Sequence, residues 1–341
     1  MNKPHSKPTI REVADACGVA ISSVSKALNM DPDKCTLKEE TRKRIIEVAK
    51  NLGFQPNWRA RSLASKQTQT IALVQSPLCL LMHGIYEEMY LELNRRLVKA
   101  EYLLASYPLV PELTRGNIMD YNQRVDGYVT VGQLPDDISD QIHQSGLPHV
   151  FLNHRHPGSS CVLPDDYLGS TLATRHLIEL GHRRIAFFSK TPYRQDSAHF
   201  SYSERFRAFE DVARGAGCLD TCLISNGLSC DAFCQKMKHG DLQHITAVIC
   251  FSHYEAIEML RECRHLDISV PDQLSILCFN NAYPTEYVFP NLTAVDVPSQ
   301  DMGAAAADKL LAMLRNEDTK PVTLILPESL IVRESTAPVL T

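Results

Sequence analysis

Apolar side chains in the first 55 residues recur at three- and four-residue intervals in three short stretches. Arg11 to Ala16 carries Val13, Ala14 and Ala16 at helical spacing, and Gly18 stops it. A second stretch from Ile21 to Leu28 puts Val24, Ala27 and Leu28 on one face. Met30 to Cys35 is polar and contains Asp31-Pro32. Thr36-Leu-Lys-Glu39 fits a capping box and opens a third helix, whose apolar face holds Ile45, Ile46, Val48, Ala49 and Leu52 before Gly53. Gln55-Pro56 breaks the chain. Asn57 is a candidate cap for one or two further turns over Trp58 to Ala64, and Ser65 to Thr70 is a polar linker that marks a domain boundary.

From Ile71 onward the period changes. Short apolar runs alternate with helical stretches, which predicts parallel sheets covered on both faces. The expected strands are 71–74, 103–106, 127–131, 149–152, 184–188, 221–224, 247–251, 275–279, 293–295 and 323–326. The expected helices are 85–100, 137–145, 167–180, 203–215, 254–264 and 299–314. Ten strands over about 270 residues imply two sheets, hence two lobes.

Charge sharpens this division. Residues 1–66 hold 13 Lys and Arg against 7 Asp and Glu, while the remaining 275 residues hold 22 against 33. A basic arm on an acidic body predicts that the arm alone meets a polyanion. No run is long or apolar enough to cross a bilayer, and the N-terminus lacks the apolar core of a signal peptide. The expected location is therefore cytoplasmic, with the eleven cysteines mostly buried as free thiols.

Helix, glycine-containing turn, helix is a DNA-binding unit. Beyond this, the order of motifs resembles the lactose-repressor (LacI/GalR) family of bacterial transcription regulators over nearly the whole chain. The head carries Thr9-Ile-Arg-Glu-Val-Ala through Gly18-Val to Val24-Ser-Lys-Ala-Leu-Asn29, and the third helix and hinge carry Glu39-Glu-Thr-Arg through Pro56-Asn to Ala60-Arg-Ser-Leu63. The body supplies Arg124-Val-Asp-Gly127, Leu177-Ile-Glu-Leu-Gly-His-Arg-Arg-Ile-Ala186, Val270-Pro-Asp, Asn291-Leu-Thr-Ala-Val295 and Val332-Arg-Glu-Ser-Thr-Ala-Pro338.

The resemblance implies an all-α helix-turn-helix head over residues 1–56, a hinge helix and linker over 57–70, and a periplasmic-binding-protein-like α/β body over 71–341. The body would be two doubly wound parallel-sheet lobes, one of about 71–162 plus 291–320 and the other of about 163–290 plus 321–338. It also implies a homodimer on pseudo-palindromic double-stranded operator DNA. A small effector, a sugar or derivative, would bind between the lobes. A chain ending at Thr341 without a heptad tail favours the dimer over the tetramer.

Several residues are implicated on this basis. Thr9, Ile21, Ser22, Ser25, Lys26 and Asn29 match head positions that meet DNA; Ser22 can donate or accept, and Ile21 can pack a thymine methyl. Lys26 stands where the family usually has Arg, so a point charge replaces a bidentate fork. Ala20 replaces a frequent capping Ser. Asn57, Ala60 and Arg61 would line the minor groove, and Leu63 would wedge into its central step.

In the cleft the candidates are His83, Asn153, Arg205, Ser252, His253, Asn280 and Asn281. The family often reads Asn-Asp where this chain reads Ser252-His253, and Asp-Asp where it reads Asn280-Asn281. Amides can still bond a polyol, but without charge assistance.

Cys218-x3-Cys222 and Cys230-x3-Cys234 are spaced too loosely for a structural zinc knuckle, and His154-Arg-His156 is expected to be solvated. No cofactor is expected. The rival readings are a solute-binding protein, an enzyme fused to a DNA head, and a regulator that has lost its effector.

Overall fold

The computed structural model describes residues 8–29, 35–55, 62, 67–75, 84–108, 118, 122–190 and 199–339. The chain divides into two compact units, 1–68 and 69–341.

Among the described residues the first unit folds into helices α1 (Ile10–Cys17), α2 (Ile21–Asn29) and α3 (Glu39–Asn51). Val13, Ala14, Cys17, Val24, Ala27, Ile45 and Ala49 form its core. Thr9 caps α1 in a capping box with Glu12, and Gly18 ends it in a left-handed conformation at φ 60°. Arg44 Nη2 donates to the Cys17 carbonyl at 3.2 Å, satisfying a group that a helix end leaves open.

Two expectations fail here. Lys38, not Thr36, is the N-cap of α3, with no side-chain cap, because Leu37 turns into the core and fixes where the first turn begins. Ala16, Ile46 and Leu52 are exposed, and Cys17 takes the buried place assigned to Ala16.

The second unit holds two six-stranded sheets. The first comprises β1 (Thr70–Gln75), β2 (Leu103–Pro108), β3 (Gly127–Val131), β4 (His149–Leu152), β5 (Ser160–Pro164) and β11 (Thr323–Leu326), in the order β11-β5-β4-β3-β1-β2. The second comprises β6 (Ile185–Ser189), β7 (Leu223–Asn226), β8 (Ala247–Cys250), β9 (Ser275–Phe279), β10 (Thr293–Asp296) and β12 (Ser329–Ile331), in the order β12-β10-β9-β8-β6-β7. Among the described residues all pairings are parallel except β10 with β12.

Helices α4 (Ile85–Lys99), α5 (Asp136–Gln144) and α10 (Ser299–Leu314) cover the first sheet. Helices α6 (Asp166–Glu179), α7 (Ser201–Gly215), α8 (Cys230–His239) and α9 (His253–His265) cover the second. Alternate residues of β1 serve opposite faces: Ile71 and Leu73 join Met89, Leu93 and Met302, whereas Ala72 and Val74 join Ile142 and Phe151. Helices α4 and α10 meet so closely that a Cβ on Gly303 would lie 2.4 Å from the Met89 carbonyl oxygen. Among the described residues no helix is long and apolar enough to cross a membrane.

The lobe boundaries expected near residues 291 and 321 are corrected. β10 belongs to the second sheet, and the chain re-enters the first lobe only at α10. β11 lies in the first sheet, and only β12 returns to the second. Sequence order cannot show this, because a single strand is claimed by whichever edge lacks a neighbour. The chain thus crosses between lobes three times, at 164–166, 296–299 and 326–329.

Strands β5 and β12 and helix α8 were not foreseen. The 221–224 strand is displaced to β7, because Leu219–Thr221 closes a 3₁₀ turn. Cys17, Cys161, Cys218, Cys230, Cys234, Cys250, Cys263 and Cys278 are buried, five of them in one core cluster. Burial pushes the Cys230 and Cys278 thiols up to about 12, which makes them small inert hydrophobes.

Candidate functional site

On α2, buried Val24 and Ala27 hold one side of the helix against the head core. The opposite side is open. Ile21 is 41% exposed, Ser22 and Lys26 are exposed, and Ser25 is half-buried. Asn29 lies in the last turn of α2, and Thr9 is exposed at the start of α1, with Oγ1 accepting from Glu12 N at 3.3 Å. A helix with an apolar residue, a hydroxyl and a cation on its free face can meet base edges and phosphates. Asn57, Ala60, Arg61, Leu63 and His83 lie outside the described residues.

In the body, the strand order reverses between β1 and β3, and again between β6 and β8. Ligands of doubly wound sheets bind at such switch points, beyond the strand C-terminal ends. Asn153 follows β4 with φ 54° and is buried. Its Nδ2 donates to Tyr86 Oη at 3.4 Å, and its Oδ1 has no partner. Asn280 follows β9 with φ 68°, and its Oδ1 likewise has none. His253 is buried against Gly84 and Tyr254, with Nδ1 unpaired; burial pushes its ring down to about 4, so it is neutral.

Arg205, from α7, is buried and already engaged. Its Nε donates to Asp166 Oδ1 at 2.6 Å, and its Nη1 donates to the Phe251 carbonyl at 3.0 Å. Its guanidinium lies over Phe279 at 4.1 Å and Phe251 at 4.8 Å. Glu328 Oε1 stands 3.9 Å from Nη2, and both Glu328 oxygens lack a hydrogen-bond partner. Burial, then the neighbouring Asp166, pushes the Glu328 carboxyl well above its ordinary range. Burial also raises Asp166, opposed by the Arg205 charge. Two of the three crossings therefore place a carboxyl group at one arginine.

Two of the sequence candidates are committed elsewhere. Ser252 caps α9, its Oγ accepting from Glu255 N at 3.4 Å while Glu255 Oε2 accepts from Ser252 N at 3.2 Å. Asn281 Nδ2 donates to Asp296 Oδ1 at 2.9 Å, and its Oδ1 accepts from Thr285 Oγ1 at 3.0 Å and Arg333 Nη2 at 2.8 Å. An aspartate there would oppose a second carboxylate at Asp296, whereas the amide offers a donor to one side and an acceptor to the other. Asp166 and Glu328 were missed. Their only sequence signal is an acidic residue just past a strand end, and nothing in the spacing joins positions 166, 205 and 328.

The expectation that His154 and His156 are solvated is also corrected. His154 is buried with Nε2 3.0 Å from Ser139 Oγ, and His156 stacks on Phe151 at 4.9 Å. The short β4–β5 connection has to lie along the sheet face and takes both rings with it.

Residues 9–57 match the domain described as bacterial regulatory proteins, lacI family, and residues 174–336 match the periplasmic binding protein-like domain. The HTH-type transcriptional regulator RegA of Clostridium saccharobutylicum is 28% identical, over 96% of this chain and 99% of its own. A CelR–cellobiose complex has a TM-score of 0.68 at 25% identity, over 96% of this chain and 99% of that one. The lac repressor dimer bound to operator and the anti-inducer ONPF has a TM-score of 0.77 at 20% identity, over 97% and 100%. With a three-helix head ahead of two switch-point sheets, the chain carries a domain of the bacterial regulatory proteins, lacI family, followed by a periplasmic binding protein-like domain.

Proposed function

We propose that the protein is a homodimeric transcriptional repressor that reads a pseudo-palindromic double-stranded operator and answers to a small polyol ligand, a sugar or derivative, between its lobes. The open face of α2, with Ile21, Ser22 and Lys26 around a buried Val24, carries this reading. Dimer formation is supported by an aromatic patch on the second lobe: Tyr283, Tyr287 and Phe289 are 76%, 67% and 81% exposed, more than an isolated surface usually leaves in contact with water. The unpartnered oxygens of Asn153 and Asn280, with the neutral ring of His253, suit a ligand rich in hydroxyls. An anionic ligand fits less well, since Asp166 already neutralises Arg205.

The test compares operator with random duplex by fluorescence anisotropy over a salt series. Leu63→Ala is expected to weaken operator binding far more than non-specific binding; equal loss on both would remove the wedge role. A thermal-shift screen against neutral sugars, sugar phosphates and purines addresses the cleft, since a ligand at about 100 times its Kd adds about 2.7 kcal/mol. Stabilisation by a phosphate but by no neutral sugar would overturn the ligand class. The second reading, a repressor without an effector, is favoured by the structural engagement of Ser252, Asn281 and Arg205, and silence across the screen would support it.

A further inference from the structure

Three imidazoles converge on one hydroxyl in the first lobe. Ser159 Oγ lies 2.9 Å from His143 Nδ1, 3.0 Å from His149 Nε2 and 3.0 Å from His156 Nδ1. A serine hydroxyl donates once and accepts twice, so it needs two N–H groups and one bare nitrogen. The surroundings decide which is which. His149 is buried with Nδ1 2.8 Å from the Leu147 carbonyl, so that nitrogen carries the proton and Nε2 accepts from Ser159. His143 and His156 must then both present Nδ1–H. His156 Nε2 also faces Asp140 Oδ1 at 3.2 Å, on the side of the ring away from Ser159.

This arrangement fastens the base of the β4–β5 loop, and the same loop grips the second lobe. The Asn153 carbonyl accepts from His199 Nε2 at 2.9 Å; Arg155 Nη1 donates to Glu204 Oε1 at 3.3 Å and lies over the Phe200 ring at 4.4 Å.

We propose that the Ser159 cluster is a proton-operated latch on the β4–β5 loop, closed while His149 stays neutral and released when it takes a further proton. A proton on His149 Nε2 would set three N–H donors around an oxygen with two lone pairs and leave the serine proton without an acceptor in the cluster. His143 and His156 face Ser159 through Nδ1–H whatever their far nitrogens carry, so the failure is specific to His149. Burial, with His143 and His156 beside it, opposes charging of His149. The other titratable and charged groups around the loop are Asp140 from α5, Asp136 and His199 beside His154, Cys161 from β5, and Arg155 with Glu204.

The experiment is hydrogen-exchange mass spectrometry on the full chain at about pH 7.5 and about pH 5.5, corrected for intrinsic exchange. Protection of residues 153–160 should fall about tenfold on acidification, while that of α10 stays level. His149→Gln keeps an acceptor near the Nε2 position but cannot charge, and should abolish the pH dependence. Ser159→Ala should leave the loop weakly protected at both pH values. Constant protection in the native chain would overturn the latch, and so would a fall in His149→Gln as large as in the native chain, which would assign the proton to His154 or His199.

Discussion

Replacing Arg205 by Met removes the cation that bonds Asp166 and stands nearest Glu328 among the described residues, while keeping most of the apolar stem between Phe279 and Phe251. Burial then acts on the Asp166 carboxyl with only the charge of Arg155 left against it. A buried carboxyl that has lost its ion-pair partner is pushed further above its ordinary range, so the variant's Asp166 is expected to take up a proton at about pH 7 instead of remaining charged. The unfolded chain releases this proton near about 3.9, so holding it at about pH 7 costs about 1.4 kcal/mol for each of about three units, up to about 4 kcal/mol, and the lost guanidinium–ring contacts add about 1 kcal/mol. The expected total is up to about 5 kcal/mol. The pH signature is more telling than the size. A folded-state carboxyl raised above its unfolded value binds a proton that the unfolded chain has released, so stability falls as pH rises. The variant should lose about 1.4 kcal/mol more per pH unit than the native chain between about pH 6 and pH 8. Urea unfolding at three pH values, followed by near-ultraviolet circular dichroism, reads this directly. Adding Asp166→Asn should remove the extra slope. A loss below about 1 kcal/mol, or a slope that persists in the double variant, would refute the view that Asp166 depends on this arginine for its charge.

Other substitutions probe separate links. Gly303→Ala should destabilise by about 1 to 3 kcal/mol, because its Cβ has backbone of α4 in its way and neither helix can yield locally; thermal unfolding without a shift would show that the helices separate easily. Ser252→Ala should cost about 1 kcal/mol through the α9 cap, and ligand response, once a ligand is known, should persist; loss of the response with unchanged stability would return Ser252 to the cleft. His154, His199 and His253 are each held down to about 4 by burial, below their unfolded value. Stability should therefore be full above about pH 6.5 and decline as pH falls toward about 4, by up to about 3 kcal/mol per ring; a flat acid-side profile would mean that these rings charge in place.

Much of the architecture was legible because it is periodic. A 3.6-residue repeat with Val24 and Ala27 inward leaves Ile21, Ser22 and Lys26 outward whatever else happens, and β3, β4, β9 and β11 are apolar runs whose ends fall where the pattern breaks. Two strands of similar length were less legible. β5 and β12 each acquire their identity by pairing, with β4 and β11 in one case and β10 in the other. Thr36 looked like a cap by spacing, yet the packing of Leu37 set the helix start two residues later.

What the sequence determined by itself was everything carried by neighbours along the chain: the three head helices, the alternation of strands and helices, the basic arm and acidic body, and the order of motifs. What only the tertiary structure decided was which distant residues share one desolvated space. Asp166, Arg205 and Glu328 are spread over 163 positions, and their charges are settled by burial and by each other. His143, His149, His156 and Ser159 are closer in sequence, but nothing in their spacing shows that one hydroxyl must satisfy three rings. Periodicity is a local property and can be read in one dimension. Desolvation and hydrogen-bond saturation depend on what surrounds an atom in three.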